Sequence, residues 1–300
     1  MISHESMVRL QAEKHELIKT EEFHSEEEYV LHLIHKIAYE KVAKLAKNKT
    51  ILDLGCNNGY GSSIISEFSG DITGVDVSQE AISVANNLYG QSGIRFQVID
   101  GMRLPFADKK FDLIVSFHVI EHIVDYQVYF SEIKRVLSPN GMVVFTTPNA
   151  VLRLDPGMKP WNPFHVREFS ASELKNLLAE YFTGVNLYGL FGNEPLYSIE
   201  FNRVKKSRYN ARKKIEQEKL LLNGIKYFVR SQAKRFLPNY LVDKIRNIRT
   251  VHCLDNEFQK QYTTNDLYYN SKNLDSAIEL LAICSENQVT LQFGCRTITI

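Results

Sequence analysis

Between residues 50 and 146 the chain alternates short apolar runs with segments that have the spacing of amphipathic helices. The five apolar runs, which we predict to be strands, are residues 50–54, 72–75, 94–98, 111–117 and 142–146. Strands joined through helices of this length need crossover connections, and these favour a doubly wound parallel sheet. Ligands of such sheets bind at the carboxyl ends of the strands. We therefore expect a functional site at that edge.

Capping signals extend this α/β pattern to either side. Ser25 and Glu28 predict a helix that runs to about residue 47, and Ser170 and Glu173 predict a second that ends near residue 181. Residues 138–141 (Ser-Pro-Asn-Gly) predict a turn before the fifth strand. A sixth strand is predicted at residues 185–190 and a last one at 278–284.

The composition excludes several classes of protein. Apolar residues make up 44% of the 300 residues and the formal net charge is +1, so the overall charge predicts no nucleic-acid partner. The four cysteines are scattered without a CxxC pair, which fits a reducing cytoplasm. No apolar run approaches the roughly 18 residues of a membrane span. We predict a cytoplasmic protein that contacts a membrane, if at all, only at its surface.

The segment Ile51-Leu52-Asp53-Leu54-Gly55-Cys56-Asn57-Asn58-Gly59-Tyr60-Gly61 joins the first predicted strand to a helix. Glycines at a strand end let the backbone approach a ligand, and the following helix offers free N–H groups. The GxGxxG pattern of NAD-binding proteins fits badly, since Asn57 and Ile64 stand at two of its small-residue positions. The Gly-Lys-Ser/Thr of a Walker A loop is missing here. A tight turn without a ligand is the remaining simple interpretation.

This segment resembles the first motif of class I S-adenosylmethionine-dependent methyltransferases, an acidic residue followed by a glycine-rich turn. Asn57 replaces the middle glycine, and asparagine tolerates the left-handed backbone region better than most residues. The resemblance implies S-adenosyl-L-methionine as the cofactor. It assigns cofactor binding to Asp53, Gly55, Cys56, Asn57, Gly59 and Gly61.

Three later segments match the same family in order. Asp76 and Val77 follow the second strand, where the resemblance implies that the carboxylate binds the ribose hydroxyls. After the third strand, Asp100 is expected to accept from the adenine amino group, with Gly101 and Met102 beside the ring. The fourth strand continues into Phe117-His118-Val119-Ile120-Glu121-His122, and His118 is also expected near the cofactor.

The implied fold is α/β, with a Rossmann-like doubly wound, mostly parallel seven-stranded sheet and a helical insertion before the last strand. We predict a methyltransferase core with an N-terminal helix at residues 1–200 and a basic helical insertion at 201–273. Residues 274–300 are predicted to supply the last core strand and a tail.

The segment after the fifth strand narrows the expected reaction. Thr147-Pro148-Asn149 and Asn162-Pro163-Phe164-His165 resemble bacterial small-molecule and glycan methyltransferases, which often act in polysaccharide biosynthesis. We predict O-methylation of a sugar, a glycan or another hydroxylated small molecule. A carboxylate, an amine or a quinone-type phenol is the alternative acceptor. A catalytically inactive binding module and a dehydrogenase are the competing classes.

Three histidines are the candidate catalytic residues, because a hydroxyl acceptor must lose a proton during methylation. His118 and His122 follow the fourth strand, and His165 lies in the loop expected to cover the acceptor. His118, Glu121 and His122 are also residue types that bind metals. Their short spacing after a strand does not ensure that they converge, so no metal ligand is predicted.

Residues 203–249 form a strongly basic segment. They contain fifteen Lys and Arg against three acidic residues, a net charge of +12, so the rest of the chain carries −11. Lys226, Arg230 and Lys234 recur every four residues, with apolar residues on another face. Such a segment is typical of helices that lie on anionic membranes. Packing of its apolar stripe on the core or on a second subunit is the alternative, and the oligomeric state is left open.

Overall fold

The structure, a computed structural model, describes residues 8, 17, 22–231, 258–287, 290–293 and 296–299. Of residues 218–231, 258, 260, 290–293 and 296–299 it describes the backbone alone. The central element is a sheet of eight strands in the spatial order β3-β2-β1-β4-β5-β8-β6-β7. The first five of these run parallel, while β8 is antiparallel to β5 and β6, and β7 is antiparallel to β6.

The strands of this sheet are β1 (Ile51–Leu54), β2 (Ile72–Asp76), β3 (Arg95–Val98), β4 (Phe111–Phe117), β5 (Leu137–Pro148), β6 (Gly184–Gly192), β7 (Leu267–Asn270) and β8 (Glu279–Ser285). A separate antiparallel pair is formed by β9 (Thr290–Phe293) and β10 (Arg296–Thr299). The helices in the described part of the chain are α1 (Glu26–Ala43), α2 (Tyr60–Ser66), α3 (Gln79–Tyr89), α4 (Tyr126–Val136), α5 (Ala150–Arg153), α6 (Ala171–Ala179), α7 (Leu196–Ser231) and α8 (Phe258–Gln261).

Successive residues of the central strands point to opposite faces of the sheet, and each face carries its own apolar cluster. Leu52 and Ile114 belong to one cluster, which also contains buried residues of α4 and α6. Ile51 and Leu113 belong to the other, which also contains buried residues of α1 and α2. Helices therefore cover the sheet on both faces, as its continuous apolar strands require.

The predicted α/β class is confirmed, and the sheet has eight strands where seven were predicted. The additional strand is β7, which pairs only with β6 at the edge of the sheet. Both predicted helix starts are confirmed. The Ser25 hydroxyl accepts from the Glu28 N–H at the start of α1, and Ser170 and Glu173 form a reciprocal capping box at α6.

The turn predicted at residues 138–141 is part of an irregular β5. Phe111 pairs with Leu137 and Leu113 with Met142, so the four residues 138–141 of β5 lie opposite the single residue 112 of β4. The strand begins at Leu137 because this side chain is buried in the core. The Ser-Pro-Asn-Gly segment forms the bulge between the two paired parts.

Helix α7 begins within the region predicted as core and extends into the predicted insertion. Its first turns lie on the core through Leu196 and Val204, which are both buried. Arg208 and Arg212 pair with Asp155, in the loop after α5. The division of the chain at residues 200 and 273 stays a prediction, and residues 232–257 lie outside the described residues. Within the described residues, no helix is both long and apolar enough to cross a bilayer.

Candidate active site

A cavity of about 730 Å³ opens at the carboxyl ends of the parallel strands. Its wall contains residues that end or follow each of these five strands: Leu54, Gly55, Asp76, Val77, Ile99, Phe117, His118 and Pro148. Residues of α1, α7 and the loop between α5 and α6 complete the wall, among them His35, Arg203, Trp161 and His165. The site therefore lies at the edge that the strand pattern predicts.

The glycine-rich turn after β1 depends on left-handed backbone conformations. Gly55 and Gly59 have φ angles of 86° and 80°, and Asn57 takes the same region with φ of 49°. A Cβ on Gly55 would overlap the Val119 side chain. Asn57 can therefore occupy the position of the family's middle glycine, because asparagine tolerates the left-handed region. At position 55 glycine is required, both for the left-handed conformation and for the close approach of Val119.

The Asp76 carboxylate joins the turn to the second strand. One of its oxygens accepts from the Asn57 N–H at 2.9 Å, and the other accepts from the Ser78 N–H at 2.9 Å. Asp76 lines the cavity although its side chain is buried. Since each carboxylate oxygen has two lone pairs, such an oxygen can also accept from a ligand hydroxyl.

Asp53 lies behind the turn and does not line the cavity. Its carboxylate accepts from the Ser62 hydroxyl at 2.6 Å and from the Tyr39 hydroxyl at 3.4 Å. Burial raises the pKa of Asp53 to about 7, against the opposing effect of these two hydrogen bonds. Asp53 thus connects β1 with α1 and α2, and it supports the glycine-rich turn without lining the cavity.

The loop after β3 supplies a second part of the cavity wall. Gly101 and Met102 line the cavity, and 43% of Met102 is exposed, so its side chain is available to pack on a ring. Asp100 does not line the cavity. Its carboxylate accepts from the N–H groups of Met102 and Arg103, and the Arg103 and Met102 bonds lower its pKa. In this conformation Asp100 shapes the loop.

Of the predicted cofactor-binding residues, the structure brings seven together around the cavity: Gly55, Asn57, Asp76, Val77, Gly101, Met102 and His118. Asp53, Cys56, Gly59, Gly61 and Asp100 lie next to these residues without lining it. The wall combines a carboxylate, a glycine turn that excludes side chains and an exposed thioether.

His118 lies between two buried carboxylates at the end of β4. Its Nε2 is 2.9 Å from Glu279 Oε2, and its Nδ1 is 3.5 Å from Glu121 Oε1. Burial lowers the pKa of His118, but the two carboxylates outweigh burial and raise it to about 10. The ring also lies 4.4 Å from that of His35, measured between centroids. His118 is therefore held in place from three elements: the β4 end, β8 and α1.

His122 and His165 form an edge-to-face pair with ring centroids 4.8 Å apart. The Nδ1 of His122 lies 2.9 Å from the Phe164 carbonyl oxygen, and the Nδ1 of His165 lies 2.7 Å from Glu168 Oε1. Glu168 also accepts from Arg153 Nε at 2.9 Å. Burial lowers the pKa of His122. All three predicted catalytic histidines, His118, His122 and His165, line the same cavity.

Sequence reasoning missed several residues that complete the site. Glu279 and His35 come from distant elements, and Arg153, Trp161 and Arg203 also line the cavity. The Arg153 guanidinium lies 3.9 Å from the centroid of the Trp161 ring. Arg203 binds the Glu200 carboxylate through two nitrogens, each at 2.6 Å. The only signal for His35 was its position on a helix that also carries His32.

A mostly parallel sheet of this strand order, with a glycine turn after β1 and a carboxylate at the end of β2, defines a nucleotide-type cofactor domain. Residues 52–145 match the family described as "Methyltransferase domain". A probable S-adenosylmethionine-dependent methyltransferase of Mycolicibacterium smegmatis is 34% identical over 145 residues, which cover 48% of this chain and 55% of that protein. Residues 52–145 therefore form a class I S-adenosylmethionine-dependent methyltransferase domain.

Two further relatives are similar over comparable lengths of the chain. A probable S-adenosylmethionine-dependent methyltransferase of Mycobacterium tuberculosis is 33% identical over 168 residues, or 55% of this chain and 60% of that protein. A ubiquinone biosynthesis O-methyltransferase of Coxiella burnetii is 31% identical over 123 residues, or 40% and 53%. The chain spans little more than half the length of these relatives.

Among solved structures, the YcgJ protein of Bacillus subtilis overlaps 85% of this chain and 99% of its own, at 18% identity and a TM-score of 0.47. The assignment of residues 52–145 rests on the family match and the similar proteins, together with the sheet order, and not on this overlap.

Proposed function

We propose that this protein is an enzyme that transfers a methyl group from S-adenosyl-L-methionine to a hydroxyl group of a sugar, a glycan or another small molecule. The observation that carries the proposal is the continuity of one cavity. The cofactor wall around Gly55 and Asp76 and the histidine pair His122–His165 line the same space. A donor held on one side and an acceptor held on the other can therefore meet within it.

The residues of this chain would bind and orient the reactants. Asp76 would hold the ribose, the backbone around Gly55 would lie against the amino-acid tail, and Met102 would pack on the adenine. When bound, S-adenosylmethionine supplies a methyl group already activated on a sulfonium sulfur. Methyl transfer is an in-line displacement, so alignment of the acceptor oxygen supplies much of the acceleration. His122 and His165 are the groups placed to take up or direct the acceptor's proton. His118, whose pKa is raised to about 10, already carries its proton near neutral pH and can only donate.

The acceptor side of the cavity favours a polar molecule with a flat face. Trp161 stacked on Arg153 offers an aromatic surface, while Arg203 and Glu200 offer charged groups nearby. A sugar ring would combine stacking on Trp161 with hydrogen bonds to these groups. A quinone-type phenol is the second candidate, supported by the ubiquinone biosynthesis O-methyltransferase relatives. Polysaccharide biosynthesis in the cytoplasm remains part of the proposal for the sugar acceptor.

Incubation with methyl-labelled cofactor and a panel of acceptors tests the proposal. The panel contains nucleotide sugars, free oligosaccharides, catechol-type phenols, carboxylates and amines. We expect label in a hydroxyl-bearing member and none without acceptor. Transfer only to a carboxylate or an amine would contradict O-methylation. No transfer by a protein that binds the cofactor, across acceptors of all these classes, would favour an inactive binding module.

We further propose that the basic segment 203–249 contacts an anionic membrane surface. In the described part of α7, Lys205, Lys206, Lys213 and Lys214 are exposed, which supports a basic outer face. Arg208 and Arg212 instead pair with Asp155, so only part of the positive charge faces outward. Surface attachment would suit an acceptor carried on a lipid.

Sedimentation with vesicles measures this contact. The protein is expected to sediment with anionic but not neutral vesicles at low salt, and salt should reverse the binding. Changing Lys226, Arg230 and Lys234 to Glu should reduce it. A matched variant with Lys44, Lys109 and Lys272 changed to Glu alters the net charge equally at exposed positions outside the segment. Equal loss in both variants, or no binding at low salt, would leave packing or dimerisation as the role of the segment.

A further inference from the structure

Glu121, His122 and His165 place one ligand-type atom each within 4.8 Å of one another at the cavity wall. Two of these residues belong to the short 3₁₀ helix Ile120–His122, and the third is 43 residues further along the chain. We propose that these three residues form a binding site for a divalent transition metal, best suited to Zn²⁺. The names of the relatives reported above do not mention a metal.

The backbone brings His165 to the other two residues independently of any ligand. The Glu121 carbonyl accepts from the N–H groups of Val166 at 2.8 Å and Arg167 at 3.2 Å. On the other side of His165, the Phe164 carbonyl accepts from His122 Nδ1. Both chain neighbours of His165 are therefore hydrogen-bonded to the Glu121–His122 pair. The position of His165 beside these two residues is thus preorganised by the backbone.

The orientation of both imidazoles is that of metal ligands. A carbonyl or an ionised carboxylate only accepts, so the Nδ1 of His122 and the Nδ1 of His165 each carry a proton. In a neutral ring the lone pair then lies on Nε2, which is the atom that can bind a cation. Metal-binding histidines almost always donate their other ring N–H to a carboxylate or a backbone carbonyl, and the two acceptors here are one of each kind.

Glu121 supplies the charged ligand. The residue is fully buried, and one carboxylate oxygen accepts from the Thr147 hydroxyl at 3.0 Å. A buried carboxylate at the edge of a cavity is costly unless cations or donors compensate it. His118 compensates from one side at 3.5 Å, and a metal ion between the two imidazoles would compensate from the other.

The distances require only a small contraction. With ligand bonds of 2.0–2.2 Å, a tetrahedral zinc site separates its ligand atoms by roughly 3.3 Å. A separation of at most 4.8 Å therefore closes by about 1.5 Å, which small side-chain rotations can supply. Two histidines and a glutamate leave at least one position open, as catalytic zinc sites do, and all three residues line the cavity. An acceptor oxygen bound there would lose its proton more readily.

Metal titration of the full-length protein, freed of metal with a chelator, tests the proposal. Calorimetry should detect one Zn²⁺ per chain. Co²⁺ should give visible d–d bands without the charge-transfer band of thiolate ligands, which separates this site from one made by cysteines. His122→Ala and His165→Ala should each abolish the one-to-one Co²⁺ signal. Glu168→Gln keeps all three ligands and should weaken Co²⁺ binding about 10–100-fold, because it removes the acceptor that orients His165.

His24→Ala is the matched control, since this exposed histidine lies outside the cavity and its loss should leave Co²⁺ binding unchanged. Titration with S-adenosylmethionine reports whether each variant is folded. No Co²⁺ signal in a wild-type protein that binds the cofactor would overturn the metal site and leave the proposed function standing. An unchanged Co²⁺ signal in both folded histidine variants would overturn it as well.

Discussion

Replacing His165 by alanine is expected to lower turnover by about 10²–10⁴-fold, the usual contribution of a positioned acid–base group. The imidazole lines the acceptor side of the cavity, and Glu168 fixes its orientation at 2.7 Å. The loss is expected whether the ring takes the acceptor's proton itself or holds an ion that activates the acceptor. Single-turnover kinetics with labelled cofactor measures it.

Cofactor affinity separates this effect from unfolding. His165 is not among the residues expected to bind the cofactor, so the alanine variant should bind S-adenosylmethionine nearly as well as the wild type. His118→Ala tests the residue at the end of β4 in the same way, and His24→Ala should leave turnover unchanged. Near-normal turnover in both His118→Ala and His165→Ala would mean that positioning alone accelerates the reaction.

Replacing Asp76 by alanine is expected to weaken S-adenosylmethionine binding by about 1.5–3 kcal/mol, the range for hydrogen bonds to a charged group. This corresponds to roughly 10- to 150-fold in the dissociation constant. The carboxylate lines the cavity and also accepts from the N–H groups of Asn57 and Ser78. Its removal therefore takes away the expected ribose acceptor and loosens the glycine turn at the same time.

Two further variants make the Asp76 result interpretable. Asp76→Asn keeps one acceptor oxygen for the turn and should lose less affinity than the alanine variant. Asp275→Ala removes an exposed carboxylate that does not line the cavity, and it should leave affinity unchanged. Unaltered cofactor binding by a folded Asp76→Ala protein would contradict the assignment of Asp76 to the ribose.

Local patterns in the sequence were sufficient for most of the fold. The apolar run Phe111–Phe117 is a strand buried in the sheet, and the capping residues Ser25 and Ser170 begin helices as predicted. The edge strand β7 escaped prediction because its four residues alternate in burial and pair along one side only. Nothing in so short a stretch distinguishes a strand from a loop before its partner is known.

The site residues that end or follow a strand could be predicted from the sequence. Those that depend on contacts between distant segments could not. Gly55, Asp76 and His118 each follow a strand, so their common location follows from the parallel sheet. Glu279 reaches His118 from β8, and Glu168 reaches His165 through a loop conformation. These pairings depend on tertiary packing, which spacing along the sequence does not encode. The same reason explains why the convergence of Glu121, His122 and His165 was not predicted.

Calorimetric titration of the wild-type chain with S-adenosylmethionine, and in parallel with NAD, tests the identity of the cofactor site without knowledge of the acceptor. The turn after β1 departs from the NAD pattern at Asn57 and Ile64, while Asp76 and Met102 complete a wall suited to the methyl donor. We expect saturable binding of one S-adenosylmethionine per chain and no saturable heat with NAD. Saturable binding of NAD, with none of S-adenosylmethionine, would contradict the proposed enzyme.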